Sequence, residues 1–535
     1  MLSSHIIKSF DIIDSDTQNL INTFLSITTS PSIIDVAKFL EETLSINTTT
    51  DMDIIAGYNH DWSNLEGYAE ALCRPINKIE CAIVMRVCYI LNIKMTISAG
   101  RTNLTGSATP KGGIIISVTQ MNDIGNIDYK DNSIDCSPGV YLEDLRTYVT
   151  SESQNKLEFP VDPTSRKEAM VGGAISCNAS GFVPGEKGAM RYWINGLDFL
   201  LPNGEMVKIN RGKYISNNGE FIIHKVDNTE TIIKVPTYDR VNLKNASGPF
   251  SSTDGKMDFV DLIIGSEGIF GCITNTTLKL KDRPTDYLNL FIKLKNENEA
   301  FELYSYFSNY FSGDMSHLSG FEYFGENCSS YMSHEEYLFD KDYSVGIYIQ
   351  IPIHNEDIDN IIEKWHGILI AFKYIKEDEQ ILSLNESHNW KTFFEARHSI
   401  PANALQQAKE NKTASIITDT IVPPSSFCEF IKKTHQLIQN KKIDYLLFGH
   451  LGDCHLHFHL IPNQENEAIA IDCYHKIIKL SSDLGGVYSA EHGTGKRKRQ
   501  DFIDCYGQEA AMQIVICKQS FDPKFLLNTG NVINQ

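Results

Sequence analysis

The sequence predicts an α+β protein of more than one domain, and three observations carry that reading. The chain is 535 residues long, beyond the roughly 100–200 residues of an ordinary domain. Three glycine-rich turns stand beside strand or helix patterns in its first half. Beyond residue 285, strands and helices alternate around one hairpin, the pattern of a mixed sheet of ferredoxin-like kind.

Composition narrows the function class. With 42% hydrophobic and 22% charged residues, the chain can bury sizeable cores and is not disordered. Its 68 acidic against 48 basic residues give a net charge of −20, a field that repels a nucleic-acid backbone. The one dense basic run, Lys496-Arg497-Lys498-Arg499, reads as a solvated loop or helix face. Twelve cysteines without a C-x-x-C pair exclude a zinc ribbon, a thioredoxin motif and an iron–sulfur run, and read as reduced thiols. Asp11, Asp14 and Asp16 interrupt any signal or transit peptide. No stretch approaches the roughly 20 apolar residues of a membrane span. The expectation is a cytoplasmic protein, with peripheral membrane contact left open.

Residues 1–65 are polar, carry weak helical signals and receive no role beyond oligomer contacts or membrane docking as guesses. Asn77 with Glu80 forms a capping box, and Ile79, Ala82, Ile83, Val87 and Ile90 then share a helical stripe. Met95 and Ile97 begin a strand that runs into the first glycine-rich turn; residues 114–118 read as a buried strand. The other two turns span 170–181 and 265–271, and a strand follows over 272–280. After Arg283-Pro284 the expected elements are strands at 287–294 and 343–353, helices at 298–311, 357–372 and 467–484, and a hairpin over 445–461. A helix near 508–519 precedes the tail. The boundaries drawn are 1–65, 66–285, 286–485 and 486–535.

Glycine lets backbone N–H groups approach a phosphate without a Cβ in the way. No G-x-G-x-x-G stands at a strand–helix junction, and Gly495-Lys496 is followed by Arg497, so neither usual nucleotide motif is present. A nucleotide ligand would have to be held another way.

The residues resemble a known family. Arg101-Thr102-Asn103-Leu104-Thr105-Gly106 looks like the pyrophosphate loop of FAD-binding oxidoreductases of the vanillyl-alcohol oxidase type. Asp162-Pro163-Thr164-Ser165, Val171-Gly172-Gly173 and Asn178-Ala179-Ser180-Gly181 resemble the second flavin loop, continued by Gly188-Ala189-Met190-Arg191. Gly265-Ser266-Glu267-Gly268 with Gly271 resembles the third. The similar branch is the D-lactate dehydrogenase, glycolate oxidase and D-2-hydroxyglutarate dehydrogenase group. The resemblance implies a PCMH-type FAD-binding domain of two subdomains, a cap domain and a C-terminal segment returning to the flavin. It implies FAD contacts from Gly100, Arg101, Thr102, Asn103, Gly106, Pro163, Thr164, Ser165, Gly172, Gly173, Asn178, Gly181, Gly188, Glu267, Gly268, Gly271 and Ile273. Ala99 and Arg101 stand where many relatives have glycines; of the two readings of Arg101, solvent is favoured over the pyrophosphate. No histidine occupies the loop position that carries covalent flavin in other relatives, so FAD is expected to be noncovalent.

Six of the 16 histidines lie from His450 to His492. Alternation puts His455, His457 and His459 on one strand face, opposite Leu456, Phe458 and Leu460. If His450 pairs with His455 across the turn, His457 is its diagonal neighbour. Two readings stand from the residues alone: a solvated polar face, or imidazoles that reach one divalent ion. In the resembled group, His450 and His457 match two metal ligands, Glu491 the third, and His492 the catalytic base. Cys454-His455 departs from the usual Gly-Asn, which leaves the metal's identity open. Arg397 matches the arginine that binds the substrate carboxylate, and Asn528 in the C-terminal signature would lie beside the flavin–substrate interface.

Chemistry joins these roles. A 2-hydroxy acid loses a hydroxyl proton and a Cα hydride. A chelated divalent ion lowers the hydroxyl pKa, a neutral histidine takes the proton, and flavin N5 takes the hydride. Zinc, redox-inert, suits a purely Lewis-acid role. The resemblance implies oxidation of a D-lactate-like D-2-hydroxy acid to the 2-keto acid, since Pro401 stands where the hydroxyglutarate enzymes tend to have a hydroxyl residue and Ala396-Arg397-His398 is more like the lactate branch. D-2-hydroxyglutarate dehydrogenase and glycolate oxidase are the near alternatives. An alkyl-glycerone-phosphate synthase and a non-catalytic FAD-binding subunit are the distant ones. The electron acceptor is left among a quinone, a cytochrome, a partner flavoprotein and oxygen, and a homo-oligomer is left open.

Overall fold

Residues 4–28, 30–339 and 341–534 are described in a computed structural model. Asn77 caps the helix Lys78–Leu91 by accepting from the N–H groups of Ile79 and Glu80. Glu80 reaches back to the Ile76 N–H rather than to Asn77, so the capping box is displaced by one residue. The expected stripe is also rotated: Ala82, Ile83 and Val87 are buried, but Ile79 and Ile90 are exposed, and Cys81, Val84, Met85 and Cys88 are buried in their place. The cause is tertiary. This helix packs between two sheets, meeting Met95, Ile114 and Ile116 from one and Leu200, Met206 and Cys272 from the other, so its apolar face is wider than one stripe.

The first of those sheets has four strands in the order Thr48–Thr49, Ala71–Cys73, Ile114–Ser117, Met95–Ser98. Its parallel pairs explain why Ile114–Ser117 is buried throughout. The second is a five-stranded antiparallel sheet, Met206–Asn210, Ile194–Leu200, Cys272–Lys279, Ser133–Cys136, Ile124–Asp128. The expected turn at 170–181 is largely the helix Val171–Cys177, ended by left-handed Asn178.

The later half is a seven-stranded antiparallel sheet. Its first four strands run Ile381–Ser383, Asp286–Leu294, Val345–Ile353, Gly320–Phe324 in space, the fourth, first, third and second in sequence. Helices Glu297–Tyr310 and Ile358–Ile370 connect them, which is the ferredoxin-like split βαβ order. Asp444–His450, His455–Ile461 and Ile416–Ile417 extend it. The helix Pro424–Gln439, absent from the sequence reading, joins the layer that covers one face.

Period-2 alternation sorts this sheet with little exception. Leu290, Ile292, Phe321, Tyr323, Leu456, Phe458 and Leu460 face that helical layer. Phe291, Phe324, Tyr348 and Leu446 face the helix Ser387–Glu410 on the other side. Glu322, His450, His455 and His457 share the parity of this second face, where Arg397 is also buried. Pro401 lies inside the helix and leaves the Arg397 carbonyl without its i+4 donor.

The N-terminal segment is built into the first body. Ile13, Ile21, Val36, Phe39 and Leu40 are buried against the Lys78–Leu91 helix, and Ile6–Lys8 pairs parallel with Glu220–His224. At the other end, Arg499–Phe521 is broken at Gly507 (φ 84°), and Phe521 stacks on Phe270 at 4.9 Å. The tail then pairs Leu527 with Met95.

Phe393 contacts Phe291, Phe324 and Tyr348 at ring-centroid distances of 6.0, 6.0 and 4.8 Å and is one turn from Arg397. Phe393→Ala is expected to cost about 3–5 kcal/mol, read as a lower urea-unfolding midpoint. An unchanged midpoint would show that this ring cluster does not hold the helix.

Candidate active site

A cavity of about 350 Å³ runs along the junction of the two halves. Its first wall is the turn after the Met95–Ser98 strand. Gly100, Arg101, Thr102, Asn103 and Leu104 line it, and among the described residues none of their N–H groups donates within the protein. Asn103 Oδ1 folds the turn by accepting from the N–H groups of Thr105 and Ser107. Consecutive free amides in a tight turn suit a pyrophosphate. The second wall brings Pro163, Thr164, Ser165, Gly172, Gly173 and Gly181, and the third Glu267, Gly268, Gly271 and Ile273. Gly268 has φ +72°, and a Cβ there would stand 2.5 Å from Asn528 Nδ2. These walls fit FAD.

Three expected contacts fall outside the cavity lining. Gly106 accepts from Lys496 Nζ at 3.1 Å. Asn178 donates to the Asn245 carbonyl at 3.0 Å and accepts from the Arg191 N–H. A Cβ on Gly188 would meet the Val183 carbonyl at 1.9 Å. All three shape the loops from behind. Glu267 lines the cavity, but its carboxylate turns away to Ser107 Oγ and to the N–H groups of Thr494 and Gly495. Burial raises its pKa against those donors. Arg101 stacks 4.2 Å over Tyr58, a cation–π contact, while also lining the cavity.

The imidazoles converge at the other end. His450 pairs with His455 across the turn, and Phe448 with His457, as the hairpin register requires. His450 Nδ1 is 2.6 Å from Glu322 Oε1, and His457 Nδ1 is 3.0 Å from the Thr418 carbonyl. Both contacts place a proton on Nδ1 and turn Nε2 toward Glu491. Those Nε2 atoms lie 3.6 and 3.5 Å from Glu491 Oε1. Burial alone would lower the His450 pKa, but Glu322 and Glu491 outweigh it and raise it to about 10. The field that holds a proton there also attracts a divalent cation. Two imidazoles and a carboxylate with converging free atoms fit a zinc-like ion.

His492 stands beside this set, its Nε2 3.7 Å from Glu491 Oε1 and its ring stacked on His457 at 5.6 Å. Burial lowers its pKa to about 4, against the pull of Asp419, so the ring is neutral at pH 7. Arg397 donates from Nη2 to Glu322 Oε2 at 2.7 Å and lies 4.3 Å over the Phe182 ring. Its Nε is buried and has no partner, and the residue lines the cavity. Asn528 lines the cavity, with Oδ1 accepting from the Ile97 N–H and Nδ2 donating to the Glu267 carbonyl. His459 faces the same way but binds Ser415 Oγ, outside the cluster.

Two carboxylates were missed in the sequence. Glu322 sits in the apolar strand Gly320–Phe324, and Asp419 follows Ile416–Ile417; a lone acid in a buried run was the available signal. Burial would raise Glu322, but His450 and Arg397 outweigh it and hold its pKa at about 2. Asp419 accepts from the N–H groups of Glu491 and His492, from Ser489 Oγ and from Lys498 Nζ. The basic run is therefore not a solvated face. Lys496 and Lys498 are buried, Arg497 donates to the Ser63 carbonyl and Arg499 to that of Gly530.

Both halves of the chain are similar to known proteins. Residues 69–210 match an FAD binding domain, and residues 369–532 match the C-terminal domain of FAD linked oxidases. A D-lactate dehydrogenase of Anaerostipes hadrus is 26% identical over 90% of this chain and 93% of its own. A D-2-hydroxyglutarate dehydrogenase of Stutzerimonas stutzeri is 22% identical, covering 94% and 99%. A glycolate oxidase subunit of Bacillus subtilis is 23% identical, covering 89% and 91%. Substrate-bound p-cresol methylhydroxylase shares the fold with a TM-score of 0.66 at 15% identity, over 98% and 99% of the two chains. Two domain matches in this order and full-length relatives agree: the chain belongs to the FAD-linked oxidases and is an FAD-dependent hydroxy-acid dehydrogenase.

Proposed function

We propose that the protein oxidises a small D-2-hydroxy acid, D-lactate-like, to the 2-keto acid, with noncovalent FAD and a divalent metal, zinc by preference. The observation that carries it is the convergence of His450, His457, Glu491, His492 and Arg397 on one cavity with the glycine-rich turns. The family relation supports hydroxy-acid oxidation in general; the choice of acid rests on the site.

Bound FAD supplies the hydride acceptor, and the bound ion supplies a Lewis acid that polarises the substrate hydroxyl. The protein's own groups do the rest. Arg397, fixed by Glu322 and Phe182, lines the cavity and meets the substrate carboxylate with its guanidinium. His492, neutral and held by Asp419, takes the hydroxyl proton at a ring nitrogen. Glu322 couples the two halves of recognition, with one oxygen on Arg397 and the other on His450. Pro401 and Phe182 line the same cavity without charge, which suits a small side chain more than a second carboxylate. The electron acceptor is proposed as a quinone, a cytochrome or a partner flavoprotein, since no iron–sulfur motif stands in the chain. Among the described residues no helix is long and apolar enough to cross a membrane.

His492→Ala is expected to keep its FAD spectrum and lose roughly 10²–10⁴-fold in D-lactate turnover with an artificial acceptor. Turnover at the wild-type rate would remove His492 as the base. His457→Ala is expected to lose metal and activity together, while unchanged zinc by elemental analysis would contradict its role as a ligand.

A further inference from the structure

One imidazole in the cluster has no work in the scheme above. His455 is 0% exposed, and neither of its ring nitrogens makes a hydrogen bond. Nε2 lies 3.2 Å from Asp419 Oδ1 but without hydrogen-bond alignment. That one contact still leaves a buried ring nitrogen without a partner, which costs about 1–3 kcal/mol, and buried polar groups are rarely left so. Its surroundings offer a partner of another kind. His455 sits across the strand pair from His450, with ring centroids 5.4 Å apart, and 4.5 Å from His457. One of its nitrogens lies within 4.8 Å of ligand atoms from His450, His457 and Glu491 alike.

We propose that His455 is a fourth protein ligand, so that this chain holds its divalent ion with three imidazoles and one carboxylate. The proposal rests on the metal reading above and extends it to a residue that reading leaves idle. Coordination through one nitrogen satisfies that atom and leaves the other to donate toward Asp419, the carboxylate that also holds Glu491 and His492. The hairpin makes this possible. His450 and His455 end facing strands at a tight turn closed by left-handed Cys454 (φ 55°), and alternation returns His457 to the same face. Three neutral nitrogens and one charge favour zinc, cobalt or iron over magnesium or calcium. They also leave fewer open positions than a three-ligand site, so a substrate chelating through two oxygens must expand the coordination number.

The test loads the full-length, FAD-containing protein with cobalt(II) alone and counts the exchangeable, hyperfine-shifted imidazole N–H signals by proton NMR. Three signals are expected in the wild type, three in His492→Ala, and two in His455→Asn, with cobalt affinity in that last variant about 100-fold weaker or more. Two signals in cobalt-loaded wild type, or three falling to two only in His492→Ala, would overturn the assignment of His455 and leave the three-ligand site standing. Failure of the wild type to bind cobalt, or equal binding by His457→Ala, would overturn the metal reading itself. The wild-type and His492→Ala counts decide the matter even if His455→Asn does not fold.

Discussion

The buried carboxylate of Asp419 joins what would otherwise be two separate pieces of the site. It follows the edge strand of the seven-stranded sheet and is 0% exposed. From there it accepts from the N–H groups of Glu491 and His492, from Ser489 Oγ and from Lys498 Nζ. A buried charge needs several donors to persist, and here those donors are the turn that carries a proposed ligand and the proposed base. Burial would raise its pKa, but His492, Lys498 and His455 outweigh it and hold it well below the usual carboxylate range. From the side of the seven-stranded sheet, this side chain sets the position of His492 relative to the histidines of the hairpin.

The same turn is fixed from the flavin side. Glu267 accepts from the N–H groups of Thr494 and Gly495, and Asn103 Nδ2 donates to the His492 carbonyl at 3.2 Å. Lys496 Nζ bridges the Gly106 carbonyl and Asn531, while Asn528 and Asn531 both donate to the Glu267 carbonyl. Glycine-rich loops, C-terminal segment and seven-stranded sheet thus share one hydrogen-bonded seam. Beside that seam, Glu322 ties Arg397 to His450. The two groups proposed to meet the substrate are held by a common carboxylate, a preorganisation that favours orientation over flexibility.

Much of this was legible in the sequence, for identifiable physical reasons. The hairpin register and the shared face of His450, His455 and His457 follow from strand alternation, which is local and strict. Of the βαββαβ unit, two strands and both helices were long enough to read, while the short strands Gly320–Phe324 and Ile381–Ser383 were not. Tertiary contact hid the rest. Residues 1–65 carry no strong pattern because they fold onto a helix that no local signal links to them. The Lys78–Leu91 helix was misoriented because two sheets, not one, bury it. The basic run reads as a surface because its acceptors, Asp419, Asn531 and the Ser63 and Gly530 carbonyls, are all distant in sequence. Gly106, Asn178 and Gly188 matched flavin-loop motifs whose role at those positions is to shape the loop.

The most direct test is anaerobic mixing of the purified protein with D-lactate, L-lactate, D-2-hydroxyglutarate and glycolate while the oxidised-flavin band is followed, before and after removal of metal by a chelator. Rapid bleaching by D-lactate, slow or absent with L-lactate, and lost on chelation, is the predicted result. A yellow, metal-loaded protein that none of these acids bleaches would contradict the proposed reaction.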